Sequence, residues 1–209
     1  MKVVSDNFWS IMIIEHIFYS GALAILVGMV FYRYTGRDSS WIIILCAFVP
    51  DLDWLAGSVL HRLGIRLLLF GNSIERGTFH NITVMVIFGM AVAFLLLPLG
   101  IKFFDALFFS LMGFGAHLLE DALVYGQGYR FLWPFSSQVL GFGILPYAIN
   151  EENYARDFFH IANTEVLIIG LLLLFAAILI RTRYERSSSW IRWYMPDKIY
   201  EKFFRKTES

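Results

Sequence analysis

The sequence is poor in charge, and that deficit decides its class. Only 16% of its 209 residues are Asp, Glu, Lys or Arg, whereas 58% are hydrophobic and 18% aromatic. Water-soluble domains carry about 25% charged and 45–50% apolar residues, so a soluble domain is excluded. Disorder, which needs low hydrophobicity, is excluded with it. Net charge is lacking too: 17 Lys and Arg balance 17 Asp and Glu, which leaves no field to draw in nucleic acid. The single cysteine, Cys46, rules out an internal disulfide and lies in the apolar run 42–49, where it reads as a small packed hydrophobe. No GxSxG, HExxH, P-loop or GxGxxG occurs, so the serine-hydrolase elbow, the zincin helix and the nucleotide cradles are missing. The first residues are not expected to act as a cleavable signal, because Glu15 and His16 interrupt its would-be apolar core and Lys2 is the only early cation. That segment reads as a retained helix.

What the sequence does have is long apolar runs. A spanning helix needs about 20 such residues, and 82–101 supplies them without one charge. Four further runs qualify with polar interruptions: 8–32, 41–60, 103–124 and 161–180. The expectation is an all-α polytopic transmembrane bundle of about five spans in one domain, residues 1–180. A long loop, 125–160, covers one end, and Pro50 should kink or break the second span. Residues 181–209 differ, with eight Lys and Arg against four acidic residues and with Trp190, Trp193, Tyr200 and Phe203 interleaved. This stretch reads as a basic, amphipathic tail on anionic lipid. By the positive-inside rule it is cytoplasmic, in a multi-pass plasma-membrane protein whose long loop faces the other side. Arg62, Arg66 and Arg76 fall on that other side and count against this orientation.

The polar residues inside the runs are not scattered. In an up-down bundle His16, Asp51, Asp53, His80, His117 and Asp121 come from four helices to one level near one membrane face. His117 and Asp121 stand four apart and share a helical face. Asp51 and Asp53 follow Pro50, where two carboxylates one residue apart can grip one ion or bridge two. Three unpaired aspartates at depth would cost roughly 8–10 kcal/mol on insertion scales. Divalent cations remove that cost: three aspartates and two ions leave one net positive charge, attractive to an anionic substrate. Imidazole with carboxylate suits zinc first, then manganese or iron, rather than calcium.

Glu15-His16-(x)3-Ser20, Pro50-Asp51-Leu52-Asp53, Arg76-Gly77-Thr78-Phe79-His80-Asn81 and Gly115-Ala116-His117-(x)3-Asp121 occur in that order, followed by Leu132-Trp133-Pro134. In this ordered set the chain resembles the membrane-bound metal-dependent hydrolases typified by the LexA-regulated YdjM-type inner-membrane proteins. More distantly it is similar to the zinc-dependent phospholipase C and single-strand nuclease superfamily, which cleaves phosphoesters with a metal cluster held on helices. The resemblance covers about residues 10–140 and implies metal-ligand positions at His16, Asp51, Asp53, His80, His117 and Asp121. It departs at two places, where Glu75 and Trp54 stand for histidines common in the family.

The expected activity is metal-dependent hydrolysis of a phosphoester, with a membrane lipid as substrate and one or two divalent transition ions as cofactor. Glu120 or Glu15 would serve as a partner to a ligand or as proton acceptor. Arg76 and Arg130 would meet phosphate, and Trp133 with the loop 126–149 would form a lid dipping into the headgroup layer. Two other readings stand beside it. A proton- or ion-coupled carrier also gathers Asp, Glu and His inside a bundle, though such carriers show repeats or broken helices at the midplane. A non-catalytic membrane scaffold needs no polar cluster. No nucleic-acid partner is expected, and the oligomeric state is open.

Overall fold

Four of the five long apolar runs form one helix each over their described residues, with ends that follow from a few local groups. The computed structural model describes residues 13–65, 68–69, 72–74, 77–124, 129–142, 144, 164–187, 189–195 and 199–200. Six α-helices lie among them: α1 Ile13–Thr35, α2 Trp41–Cys46, α3 Leu52–Arg62, α4 Ile82–Leu96, α5 Phe103–Val124 and α6 Thr164–Glu185. Asn81 caps α4, its side chain accepting the Val84 N–H at 2.9 Å. A single 3-10 turn, Leu97–Leu99 with Pro98 inside it, ends that helix, and Gly100 adopts φ 78°. The short connection that follows makes α4 and α5 an antiparallel hairpin. A two-residue antiparallel pairing, Leu68–Leu69 with Asn72–Ser73, is the extent of regular β-structure among the described residues.

Four of these helices are long and apolar enough to cross a membrane: His16–Thr35, Ile82–Leu99, Phe103–Leu123 and Leu167–Glu185. The expected span over 41–60 is not one of them. Pro50 cannot donate a backbone hydrogen bond, and the chain turns there, with Leu52 N–H donating to Val49 O and Asp53 N–H to Pro50 O. The run is thereby split into α2 and α3. The pass from Ser40, beside Gly28, to Asp51, beside His16, is a short return along α1. It covers the rise of twelve α1 residues, about 18 Å. A helical membrane bundle is thus what the sequence folds into, with four helices long enough to span and one short return among the described residues.

The packing partners fix directions. Gly21 faces Leu174 and the Ile25 carbonyl meets Arg181, so α1 and α6 run parallel. One core joins Ala24, Ile42, Ile43, Cys46, Ala93, Ala106 and Phe109; Cys46 is the packed hydrophobe expected. A second core, Val49, Phe114, Leu118, Ala122 and Phe131, lies nearer the α5 C-terminus. Outward faces are apolar and exposed, as on Phe94 and Leu95 of α4 and Leu172 and Phe175 of α6, which is the face a lipid-embedded helix presents.

At the far end, away from His16, Arg181 is fully buried and pairs with Asp38 at 2.7 Å and Glu185 at 2.8 Å. Ser40 donates its N–H and its hydroxyl to Asp38 Oδ1. The Tyr194 hydroxyl meets the Ser40 hydroxyl and donates to Ala24 O at 3.0 Å. Burial pushes the Tyr194 pKa up, which keeps that donor protonated. Trp190 is buried too, under the Arg181 guanidinium. The first part of the expected surface tail, Ser189–Tyr194, is therefore a 3-10 segment packed onto α1 and α6. Its aromatic residues serve the bundle.

Close approach of α2 to α5 depends on one residue. A Cβ at Gly113 would lie 2.9 Å from the Ile43 Cα and closer still to its carbonyl oxygen. Backbone cannot swing aside as a side chain can. Gly113→Ala is expected to push α2 away and to destabilise the protein by about 1–3 kcal/mol, read as a lower melting temperature in detergent. An unchanged melt would show that the helices can separate without loss.

Candidate metal centre

Proline-broken backbone, a helix N-cap and two helix faces bring the polar residues together. Asp51 precedes α3, His80 precedes the Asn81 cap, His16 lies in the first turn of α1, and His117 with Asp121 lies in the last two turns of α5. His16, Asp53, His80, His117, Glu120 and Asp121 are all buried, and the Asp51 side chain is 20% exposed. Two sets of three donor atoms lie within 4.8 Å of one another: His16, Asp51 and His117, and His80, His117 and Asp121. His117 belongs to both.

The orientation of the rings says more than their proximity. His80 turns Nδ1 to Asp53 Oδ2 at 3.3 Å, and a carboxylate can only accept there. The same oxygen accepts the Phe79 N–H at 3.1 Å. The other ring nitrogen, Nε2, points at Asp121 Oδ2, 3.2 Å away, at Asp51 Oδ1, 3.7 Å, and at His117 Nε2, 3.4 Å. His117 Nε2 aims at the same two carboxylates, at 3.5 Å and 3.8 Å. His16 repeats the pattern, with Nδ1 held by Glu120 Oε2 at 2.7 Å and Nε2 turned towards Asp51 at 4.0 Å. Its ring stacks on that of His117, centroids 4.3 Å apart. Lone pairs of imidazoles and carboxylates converge on common points, where a proton, a water O–H or a cation can satisfy them. Carboxylates that fix the far ring nitrogen of a histidine are what metal-binding imidazoles carry.

Charge bookkeeping agrees with that chemistry. Asp51, Asp53, Glu120 and Asp121 put four carboxylates into one buried cluster, and among the described residues no Lys or Arg pairs with them. Two divalent cations would balance the four charges. His117 Nδ1 and Asp53 Oδ1 are buried without a hydrogen-bond partner among the described residues. Just before α4, His80 feels both burial and its neighbours. Burial lowers its pKa, but hydrogen bonds to Asp121, Asp51 and Asp53 outweigh it and hold the imidazole well above its ordinary value.

All six expected ligand positions come together, but Asp53 stands behind His80 and outside both donor sets. Glu120 stands behind His16 in the same way. Arg130 is exposed on the loop, and Trp133 is half-buried, its carbonyl accepting the Thr83 hydroxyl at 2.8 Å. Arg76, Glu75 and the side chains of Glu15 and Trp54 lie outside the described residues. Two contributors escaped sequence reasoning. The Tyr129 ring lies over His80, centroids 4.2 Å apart. Gly77, at φ 89°, makes room for it, since a Cβ there would sit 2.8 Å from the ring. The glycine between Arg76 and Thr78 was the available signal; a loop tyrosine gives none.

A polytopic helical membrane protein with a buried histidine–carboxylate centre near one end of its bundle is the class these features define. The family model described as YdjM inner membrane protein matches residues 11–189. The chain belongs to that family. No curated protein and no solved structure matches it.

Proposed function

We propose that this protein is a membrane-embedded, metal-dependent hydrolase that cleaves a phosphoester of a membrane lipid. One observation carries the reading: the Nε2 atoms of His80 and His117, 3.4 Å apart, aim their lone pairs at the same carboxylate oxygens while Asp53 holds the opposite nitrogen of His80. Divalent ions bound there would supply Lewis acidity and bring the pKa of water towards about 7. His16, His80, His117, Asp51 and Asp121 are the holding groups. Glu120 Oε2 and Asp53 Oδ2 keep the Nδ1 protons of His16 and His80 in place and so fix which nitrogen faces inward. Asp51, the one donor open to the outside, marks where a phosphate would approach. Zinc fits this donor set best, with manganese and iron next. The basic tail would hold anionic lipid on the cytoplasmic face.

Metal analysis of the purified protein, coupled to a screen of phospholipids for released headgroup or phosphate, tests the reading. About two ions per chain and turnover are the expected result. Metal-free protein that moves protons or ions across vesicles would replace it with a carrier.

Affinity should also depend on pH in a defined direction. The raised pKa of His80 means that, without a cation, Nε2 carries a proton at neutral pH, and a metal must displace it. Raising the pH removes this competitor. Zinc affinity of the stripped protein should therefore rise by about tenfold per pH unit for each displaced proton between about pH 6 and 8. A competition titration against a chelator reads the slope, and a flat profile would contradict the assignment of His80.

A further inference from the structure

We propose that α3 is an interfacial helix lying in the membrane at the level of the metal centre, and that it forms, with the loop 132–142, a side entrance through which a bilayer-resident phospholipid reaches Asp51. This rests on the hydrolase reading for its substrate but not for the position of the helix.

The chain leaves the centre at Asp51 and Asp53 and continues directly into α3. Among the described residues that helix packs extensively along none of the other helices, and Leu52, Leu55, Val59 and Leu63 are all exposed. Their spacings of three, four and four put them on one stripe. His61 lies opposite the stripe, while Ser58 and Arg62 flank it on one side. Asp53 lies about a quarter turn from the stripe at 3.6 residues per turn, so the apolar face borders the face that reaches His80.

The spanning helices say what covers the stripe. Ile17, Ile82 and Leu119 are exposed, and each stands within two residues of His16, His80 or His117. Hydrocarbon therefore reaches the depth of the donors, and α3 begins at that depth. A second apolar rim sits at the same end of the bundle. Phe135, Val139, Phe142 and Ile144 are exposed, Phe135 at 89%. The loop that bears them is tied down by Ile82 N–H to Phe131 O at 2.9 Å and by Phe142 N–H to Ala122 O at 2.6 Å. Two anchored apolar edges on the rim of a buried centre fit acyl chains better than water. Arg62, at the α3 C-terminus, would reach lipid phosphate while its stem stays in the apolar layer.

The test places a nitroxide on Leu55→Cys, Val59→Cys or His61→Cys, each in a Cys46→Ala background, in phosphatidylethanolamine–phosphatidylglycerol vesicles. Oxygen should relax the labels at 55 and 59 more than an aqueous nickel chelate does, with the order reversed at 61. Labels at 55 and 59 that favour the chelate would overturn the proposal. A second arm compares vesicle phospholipid with a water-soluble glycerophosphodiester. Val59→Asp should lower the ratio of vesicle to soluble turnover by about tenfold, and an unchanged ratio would overturn the entrance. If the unsubstituted protein turned over neither substrate, the hydrolase reading would fall, while the label positions would still decide where α3 lies.

Discussion

Replacing His117 by alanine is expected to empty the centre. His117 is the one side chain shared by both donor sets, so its loss opens a coordination position at each. Bound metal should fall from about two ions per chain to below one, and phosphoester turnover by about three orders of magnitude. The fold should survive, because the ring is replaced inside a bundle whose cores lie elsewhere on α5, at Phe109 and Phe114. Elemental analysis, turnover and a detergent melt on the same sample separate the outcomes. Glu120→Gln supplies the contrast. It removes charge from behind His16 but leaves an oxygen to hold Nδ1, so a loss of about 10–100-fold is expected. Full metal retention by His117→Ala would sink the ligand assignment.

Asp38→Ala should produce the largest loss of stability. It strands the fully buried Arg181 guanidinium, whose remaining partners are Glu185 and the weaker contacts to Ile25 O and the Tyr194 hydroxyl at 3.4 Å. Breaking one partner of a buried ion pair costs about 3–5 kcal/mol, which a denaturant or thermal unfolding series in detergent will read. Adding Arg181→Met should recover most of it, because a buried pair replaced by apolar groups is close to neutral. Metal content should not change in either variant, since the network lies about 18 Å along α1 from His16. If Asp38→Ala also emptied the centre, the two ends of the bundle would have to be coupled.

Much of this architecture was legible in the sequence, and the misses share a cause. Uncharged runs such as 82–101 identify spanning helices because hydrocarbon tolerates no unpaired backbone. The level at which His16, Asp51, His80 and His117 meet followed from helix lengths and alternating direction. What depth cannot supply is lateral detail. Asp51 and Asp53 look equivalent in the sequence, yet the backbone turn at Pro50 aims one at the donors and the other at the back of His80. The same turn shortened the second span. Trp190 reads as an interfacial aromatic because composition does not reveal that Arg181, paired with Asp38, forms a buried site over it. Helix periodicity locates a residue on its own helix; the partner across the interface is set by sequence far away.

A ribosome delivers the donors of this centre in the order His16, Asp51, His80, His117, Asp121, so the nascent chain carries uncompensated carboxylates until α5 has emerged. Insertion of the early helices must therefore proceed with those groups protonated or still facing water. If the centre binds metal as proposed, loading would be a late step of biogenesis, completed only when Gly113 has let α5 settle against α2.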